Sequence, residues 1–116
     1  MPTSTSRPYV PDRYDVVWLD FDPQAGREQA GRRPAYVLSP VEYNRVTGLF
    51  LVCPMTNQIK GYPFEVLVPG GYRVGGAVLA DHVKSLSWRA RNADYICSCA
   101  EIADEVLAKI GSLLEY

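Results

Sequence analysis

The sequence predicts a single small domain, mainly β with α (α+β), in which a small antiparallel barrel or curled sheet is followed by a C-terminal helix. Three observations carry this. Short aromatic and β-branched runs of strand length recur through residues 14–86, and Gly and Pro turn signals punctuate them at close intervals. A helical apolar period is confined to the last twenty residues or so, and 116 residues leave room for one core.

Residues 1–13 carry three prolines and a Ser/Thr cluster without a period, so an extended, mobile arm is expected before a domain spanning 14–116. The first strand is expected over Tyr14–Phe21, with Val17, Leu19 and Phe21 on one face and Trp18 and Asp20 on the other. Asp22–Gly31 is polar, contains Pro23, Gly26 and Gly31, and reads as a long loop of the kind that carries function. Pro34–Ser39 and Leu49–Met55 follow as strands, separated by a polar turn or short helix around Pro40–Gly48. Further strands are expected at Phe64–Val68, Ala77–Leu79 and Val83–Leu86, between the turns of Gly61, Pro63, Pro69-Gly70-Gly71 and Gly75-Gly76. Ser98 and Glu101 are spaced as a capping box. Beyond them Ile102, Val106, Ile110 and Leu113, widened by Ala103, Leu107 and Leu114, form a stripe that should pack on the sheet and is wide enough to serve dimerisation as well.

With 47% hydrophobic and 22% charged residues the chain can bury a core. It contains no apolar run of transmembrane length and no signal-peptide layout, so a cytoplasmic protein away from membranes is expected. Cys53, Cys97 and Cys99 are odd in number and include no C-x-x-C pair, which favours reduced thiols over a disulfide framework or a zinc site. A net charge of −1 argues against strong non-specific nucleic-acid binding. Its distribution is uneven: residues 1–93 hold eleven Lys and Arg against eight Asp and Glu, whereas residues 94–116 hold Lys109 against five acids, so a basic face remains open.

One histidine, His82, excludes His-x-x-x-His zinc chemistry and a two-histidine ribonuclease, and a surface role is its simplest reading. No Walker loop or G-x-S-x-G elbow occurs. Two polar clusters remain: Glu28, Arg32 and Arg33 at the end of the long loop, and Thr56, Asn57 and Gln58 after the third apolar strand. If the second and third strands pair, Arg33 and Thr56 meet at one rim. An Arg fork matches phosphate oxygens and stabilises a pentacovalent transition state, an ionised Glu28 takes a proton from a ribose 2′-hydroxyl, and the Thr56 hydroxyl donates to a phosphate oxygen. From residue types alone, a surface ion pair beside a solvated turn is the competing reading.

The stretch WLDFDPQAGREQAGRRPAYVLSP, from Trp18 to Pro40, resembles the opening motif of MazF/PemK-type toxins. The likeness continues through Tyr43-Asn44, Thr47-Gly48, the CPMTNQIKGYPFEV run from Cys53 to Val66, and the VLADHVKSLSWRAR region from Val78 to Arg91. The resemblance implies an SH3-like antiparallel barrel with a C-terminal helix, a homodimer, and a cognate antitoxin with an acidic tail as partner. It also implies a toxin that inhibits translation by cutting single-stranded RNA without a metal or other cofactor, leaving a 2′,3′-cyclic phosphate and a 5′-hydroxyl. The family's catalytic positions fall on Arg33 and Thr56, with Glu28 as the third residue. Because Arg titrates above about pH 12, Glu28 is expected to be the base, Arg33 the electrostatic stabiliser and Thr56 the phosphate positioner.

Candidate RNA contacts are Arg32, Asn57 and Gln58 beside the site, Lys60, Lys84, Arg89 and Arg91 on phosphates, and Phe21, Tyr62 and Trp88 stacking on bases. Phe21 and Trp88 are equally suited to the core. Two positions depart from the family pattern: Arg32 stands where some members have His, and His82 where Gln is frequent. The rival reading is a CcdB-type toxin, which shares the architecture but poisons gyrase and needs no such site.

Overall fold

The computed structural model describes residues 8–21 and 31–114. Among these residues seven strands and two helices follow in the order β1 (Asp15–Asp20), β2 (Arg32–Val37), α1 (Val41–Thr47), β3 (Leu49–Thr56), β4 (Glu65–Leu67), β5 (Ala77–Leu79), β6 (Lys84–Ser87) and β7 (Asp94–Ser98), then a 3-10 turn (Ala100–Ile102) that runs into α2 (Ala103–Leu114). All pairings are antiparallel, in the order β4-β5-β3-β2-β1-β7, with β6 also paired to β3. The sheet is curled but open: among the described residues no ladder joins β4 to β7, so it is a barrel only in the loose sense.

β3 makes the curl. It pairs with β6 over Leu49–Val52 and with β5 at Met55 and Thr56, while β2 lies along Val52–Pro54. A strand shared among three neighbours must bend, and the bend leaves both sheet faces covered. Side chains alternate across the strands, so each face buries its own cluster. Val16, Tyr36, Cys53, Met55, Val66 and Val78 pack with Ile102 and Val106 of the C-terminal segment. Val17, Leu19, Ala35, Val37, Phe50 and Val52 pack with Trp88. Full burial of a side chain such as Phe50 or Val106 stabilises by about 1.5–3 kcal/mol. In β1 ordinary alternation puts the neighbours Val16 and Val17 in opposite cores, and the register of the pairing with β7 shifts between them.

The segment around Pro40–Gly48 is a short helix, ended by Gly48 at φ 74° with its N–H on the Asn44 carbonyl. Asn44 is fully buried. Its amide donates to the carbonyls of Pro11 and Ser39, its oxygen accepts from the Ser39 hydroxyl, and its own carbonyl accepts from the Trp88 indole. The described part of the N-terminal segment is therefore held against the domain. Tyr9 adds to this by donating to Asp15 at 2.6 Å, which together with burial pushes its phenol well above the usual range.

The capping box expected at Ser98 and Glu101 does not form. Ser98 ends β7 and donates to Asp15 at 2.8 Å, Glu101 accepts from Tyr72 at 2.9 Å, and a 3-10 turn starts the helix instead. β7 itself was not expected from the sequence. As the last strand in the order it buries only Ile96 below its surface, too little to mark a period. The C-terminal helix packs on the sheet through Ile102, Ala103, Val106 and Ile110, while Leu107, Leu113 and Leu114 stay in contact with solvent.

Candidate active site

β2 and β3 pair through Val37–Val52, Tyr36–Cys53 and Ala35–Pro54. Continuing that register sets Arg33 opposite Thr56, but the ladder stops before it reaches them. Pro34 and Pro54 each lack a backbone donor at this point, and Met55 and Thr56 turn to pair with Val78 and Ala77 of β5. The two strands part, and a cleft of about 400 Å³ opens, lined by Arg33, Pro34, Met55, Thr56, Asn57, Gln58 and Gly75. The expectation that strand pairing brings Arg33 and Thr56 to one rim is met.

The chain after Thr56 is shaped locally. The Thr56 hydroxyl accepts the Gln58 N–H at 3.0 Å, which turns Asn57 and Gln58 along the cleft wall. Behind them Gly76, at φ 90°, lies so close that a Cβ there would stand 2.2 Å from the Thr56 carbonyl oxygen and 2.9 Å from Asn57 Oδ1. A second hollow of about 250 Å³ shares Thr56 and Gln58 with the cleft and continues past Lys60, Tyr62, Glu65, Leu79 and His82. Gly75, Gly76 and Leu79 belong to this site yet read in sequence as ordinary turn and strand residues, because only the β3–β5 pairing brings them to Thr56.

The remaining expected residues divide sharply. Glu28 and most of the loop expected over Asp22–Gly31 lie outside the described residues. Arg33 makes no ion pair among the described residues, whereas Arg32 is bound by two carboxylates, Asp20 at 2.8 Å and Asp94 at 2.7 Å. Hydrogen bonds from Asn92 and Arg32 hold the Asp20 carboxyl below its usual range. Arg91 donates to the carbonyls of Asp20 and Phe21, and Phe21 packs at the edge of the second core. Trp88 is buried in that core with Arg89 4.7 Å above its ring. Arg89 lines a separate depression with Pro8, Val10, Val41 and Arg45, and Lys84 is exposed on β6 opposite Val52. Tyr62 remains half-exposed beside the cleft and donates to Asp81 at 3.0 Å. Lys60 and Tyr62 thus border the cleft, while Phe21, Arg32, Trp88 and Arg91 are committed to the framework.

All three thiols are unpaired, with Cys53 and Cys99 buried, and burial pushes Cys53 up to about 12. Among the described residues no three His, Cys, Asp or Glu side chains converge, and no helix is long and apolar enough to cross a membrane.

Comparison with known proteins matches this arrangement to one family. The family model described as PemK-like, MazF-like toxin of type II toxin-antitoxin system matches residues 12–115. The endoribonuclease toxin MazF of Escherichia coli K12 is 60% identical over 85 residues, 73% of this chain and 76% of that protein. Endoribonuclease PemK of Escherichia coli is 36% identical over 84% of this chain and 78% of its own length. The crystal structure of MazF from Deinococcus radiodurans superimposes with a TM-score of 0.86 at 55% identity, covering 94% of this chain and all of that one. A MazE-MazF structure from the same organism gives 0.82 at 51% identity, over 92% and 97% of the two chains. By sequence and by fold, the chain belongs to the PemK-like, MazF-like toxins of type II toxin-antitoxin systems.

Proposed function

We propose that the cleft between β2 and β3 binds single-stranded RNA and cleaves it by attack of a ribose 2′-hydroxyl on the adjacent phosphorus. The protein is a toxin endoribonuclease, as its curated relatives are named, and those names set aside the gyrase-poisoning alternative. The observation that carries the mechanism is the shared cleft of Arg33 and Thr56, a guanidinium and a hydroxyl lining one space of about 400 Å³. In the reaction the 2′-oxygen bonds to phosphorus as the bond to the 5′-oxygen breaks, leaving a 2′,3′-cyclic phosphate and a 5′-hydroxyl. Glu28 takes the 2′-hydroxyl proton, the Arg33 fork stabilises the charge gathering on the phosphoryl oxygens, and Thr56 donates to one of them. These residues perform the reaction without a metal or other cofactor. Asn57, Gln58, Lys60 and Tyr62 contact the strand on either side, Tyr62 by stacking.

The working molecule is a homodimer in the cytoplasm, and a cognate antitoxin neutralises it, in keeping with the MazE-MazF complexes of its relatives. The apolar residues that α2 leaves uncovered, Leu107, Leu113 and Leu114, are compatible with pairing.

The test is digestion of a long end-labelled RNA in excess EDTA, with Arg33→Ala protein and the corresponding DNA strand alongside. Cutting at fixed sites by the wild type alone, on RNA alone, is expected. Intact RNA would remove the nuclease reading, and full activity of Glu28→Gln would remove Glu28 as base.

A further inference from the structure

The hollow beside the cleft holds an unbalanced group. Asp81 follows β5, and its Oδ2 accepts the Tyr62 hydroxyl at 3.0 Å. Its Oδ1 is buried and has no hydrogen-bond donor among the described residues. His82 Nε2 lies 3.7 Å from that oxygen, just outside hydrogen-bond reach, and the imidazole is half exposed on the wall of the hollow. A buried carboxylate oxygen without a donor favours any neighbour that can supply one.

The charges around His82 make a proton there matter. Lys60 faces it from the loop before β4, and Glu65 from β4. The Glu65 carboxylate is already capped by the backbone N–H groups of Lys60, Gly61 and Tyr62. The Asp81 hydrogen bond raises the Tyr62 phenol above its ordinary value, and the Cys53 thiol on β3, near Asp81, is pushed up to about 12, so both stay neutral near pH 7. Lys84 is the next charge along the chain. With a neutral imidazole, two carboxylates outweigh the one ammonium in the hollow; with a protonated imidazole the charges balance. A polyanionic strand discriminates between these two states.

We propose that His82 is a proton-dependent substrate-binding residue. Protonated, it closes the short gap and donates Nε2–H to Asp81 Oδ1, and Nδ1–H becomes a second donor for a phosphate of the bound strand. This rests on the RNA-cleavage reading above and deepens it. Protonation adds both the donor and the charge, so the contact strengthens as pH falls. Binding favours the protonated form: affinity is full below the pKa of His82 in the free protein and declines as pH rises through its value in the complex. A displacement of one unit corresponds to tenfold in affinity.

His82 is the only histidine, so its imidazole resonance is unambiguous in a proton NMR titration. The probe is a short 2′-O-methyl oligonucleotide, which cannot be cleaved, carrying the site mapped in the RNA digestion. In the full-length protein its addition should raise the His82 titration midpoint, and its Kd by fluorescence anisotropy should weaken about three- to tenfold from about pH 5.5 to about pH 8. His82→Gln should bind with a pH-independent Kd near the weaker, high-pH value, and Asp81→Asn should lower the midpoint in the free protein. An unmoved midpoint with a flat Kd in the wild type, while RNA is still cut, overturns this proposal alone. No binding at any pH together with intact RNA overturns the nuclease reading with it.

Discussion

Gly76 shows how one missing methyl group can set the geometry of a site. Its φ of 90° belongs to a region that side-chain-bearing residues rarely occupy, and the space a Cβ needs is filled by the Thr56 carbonyl 2.2 Å away. The atom in the way is backbone, so relief requires β3 and β5 to separate at the residues that pair them. Gly76→Ala is therefore expected to cost about 1–3 kcal/mol of stability, the range for a residue forced into such a conformation. It should also cut cleavage severely, because Thr56 and Asn57 are displaced together. Gly75→Ala is the matched control: its Cβ meets nothing within 4 Å, so urea unfolding should be nearly unchanged. Equal stability and equal cleavage rates for the two variants would show that β5 can yield without carrying Thr56 along.

Between elements, Asp20 is the tie that closes one end of the sheet. It ends β1, accepts from Arg32 of β2 and from Asn92 in the turn before β7, each at 2.8 Å, and Arg32 continues to Asp94 of β7. The Asn92 and Arg32 hydrogen bonds depress the Asp20 carboxyl. A depressed carboxylate contributes stability that is present above its unfolded value, about 3.9, and is lost as pH falls through the lower folded value. Thermal unfolding followed from neutral pH down to about pH 2.5 should therefore show an acid limb that flattens in Asp20→Asn, with the variant less stable at neutrality. A limb of unchanged steepness would assign the acid sensitivity to other carboxylates. This tie was invisible in sequence because Arg32 reads as a free cation beside Arg33 until the pairing of β1 with both β2 and β7 is known. β1 was legible from its partial alternation and β3 from a continuous apolar run of strand length, because burial on one or both faces writes those patterns into the chain. Ser98 and Glu101 misled because a capping spacing fixes no partner, and both side chains found stronger ones across the fold. In the site, Arg33 and Thr56 were legible since adjacent antiparallel strands make them neighbours, whereas Gly76 and the Asp81–His82 pair depend on where β5 lies.

For the whole molecule, the proposed function poses the question of how a chain of net charge −1 would hold a polyanion. Among the described residues few cations are available at the cleft. Arg32 is neutralised by two carboxylates, Arg91 is spent on backbone carbonyls, and Arg89 lies over the Trp88 ring beside a different depression. Among the described residues that leaves Arg33 and Lys60 on the walls, with His82 joining them when protonated. Binding should then depend weakly on salt. Each phosphate neutralised on a single strand contributes about −0.7 to the slope of log K against log salt, so two or three contacts per cleft predict about −1.4 to −2.1. Anisotropy titrations of the uncleavable oligonucleotide at several salt concentrations measure the slope directly. Lys60→Gln should make it shallower by about 0.7, and Arg32→Gln should leave it unchanged while lowering stability. A slope steeper than about −4 would mean that Lys84, Arg89 and the other outlying cations take part, and that the strand wraps well beyond the cleft. A slope in the expected range would mean that the site selects its RNA by fit and hydrogen bonding at a few nucleotides, with the electrostatic field of the protein contributing little.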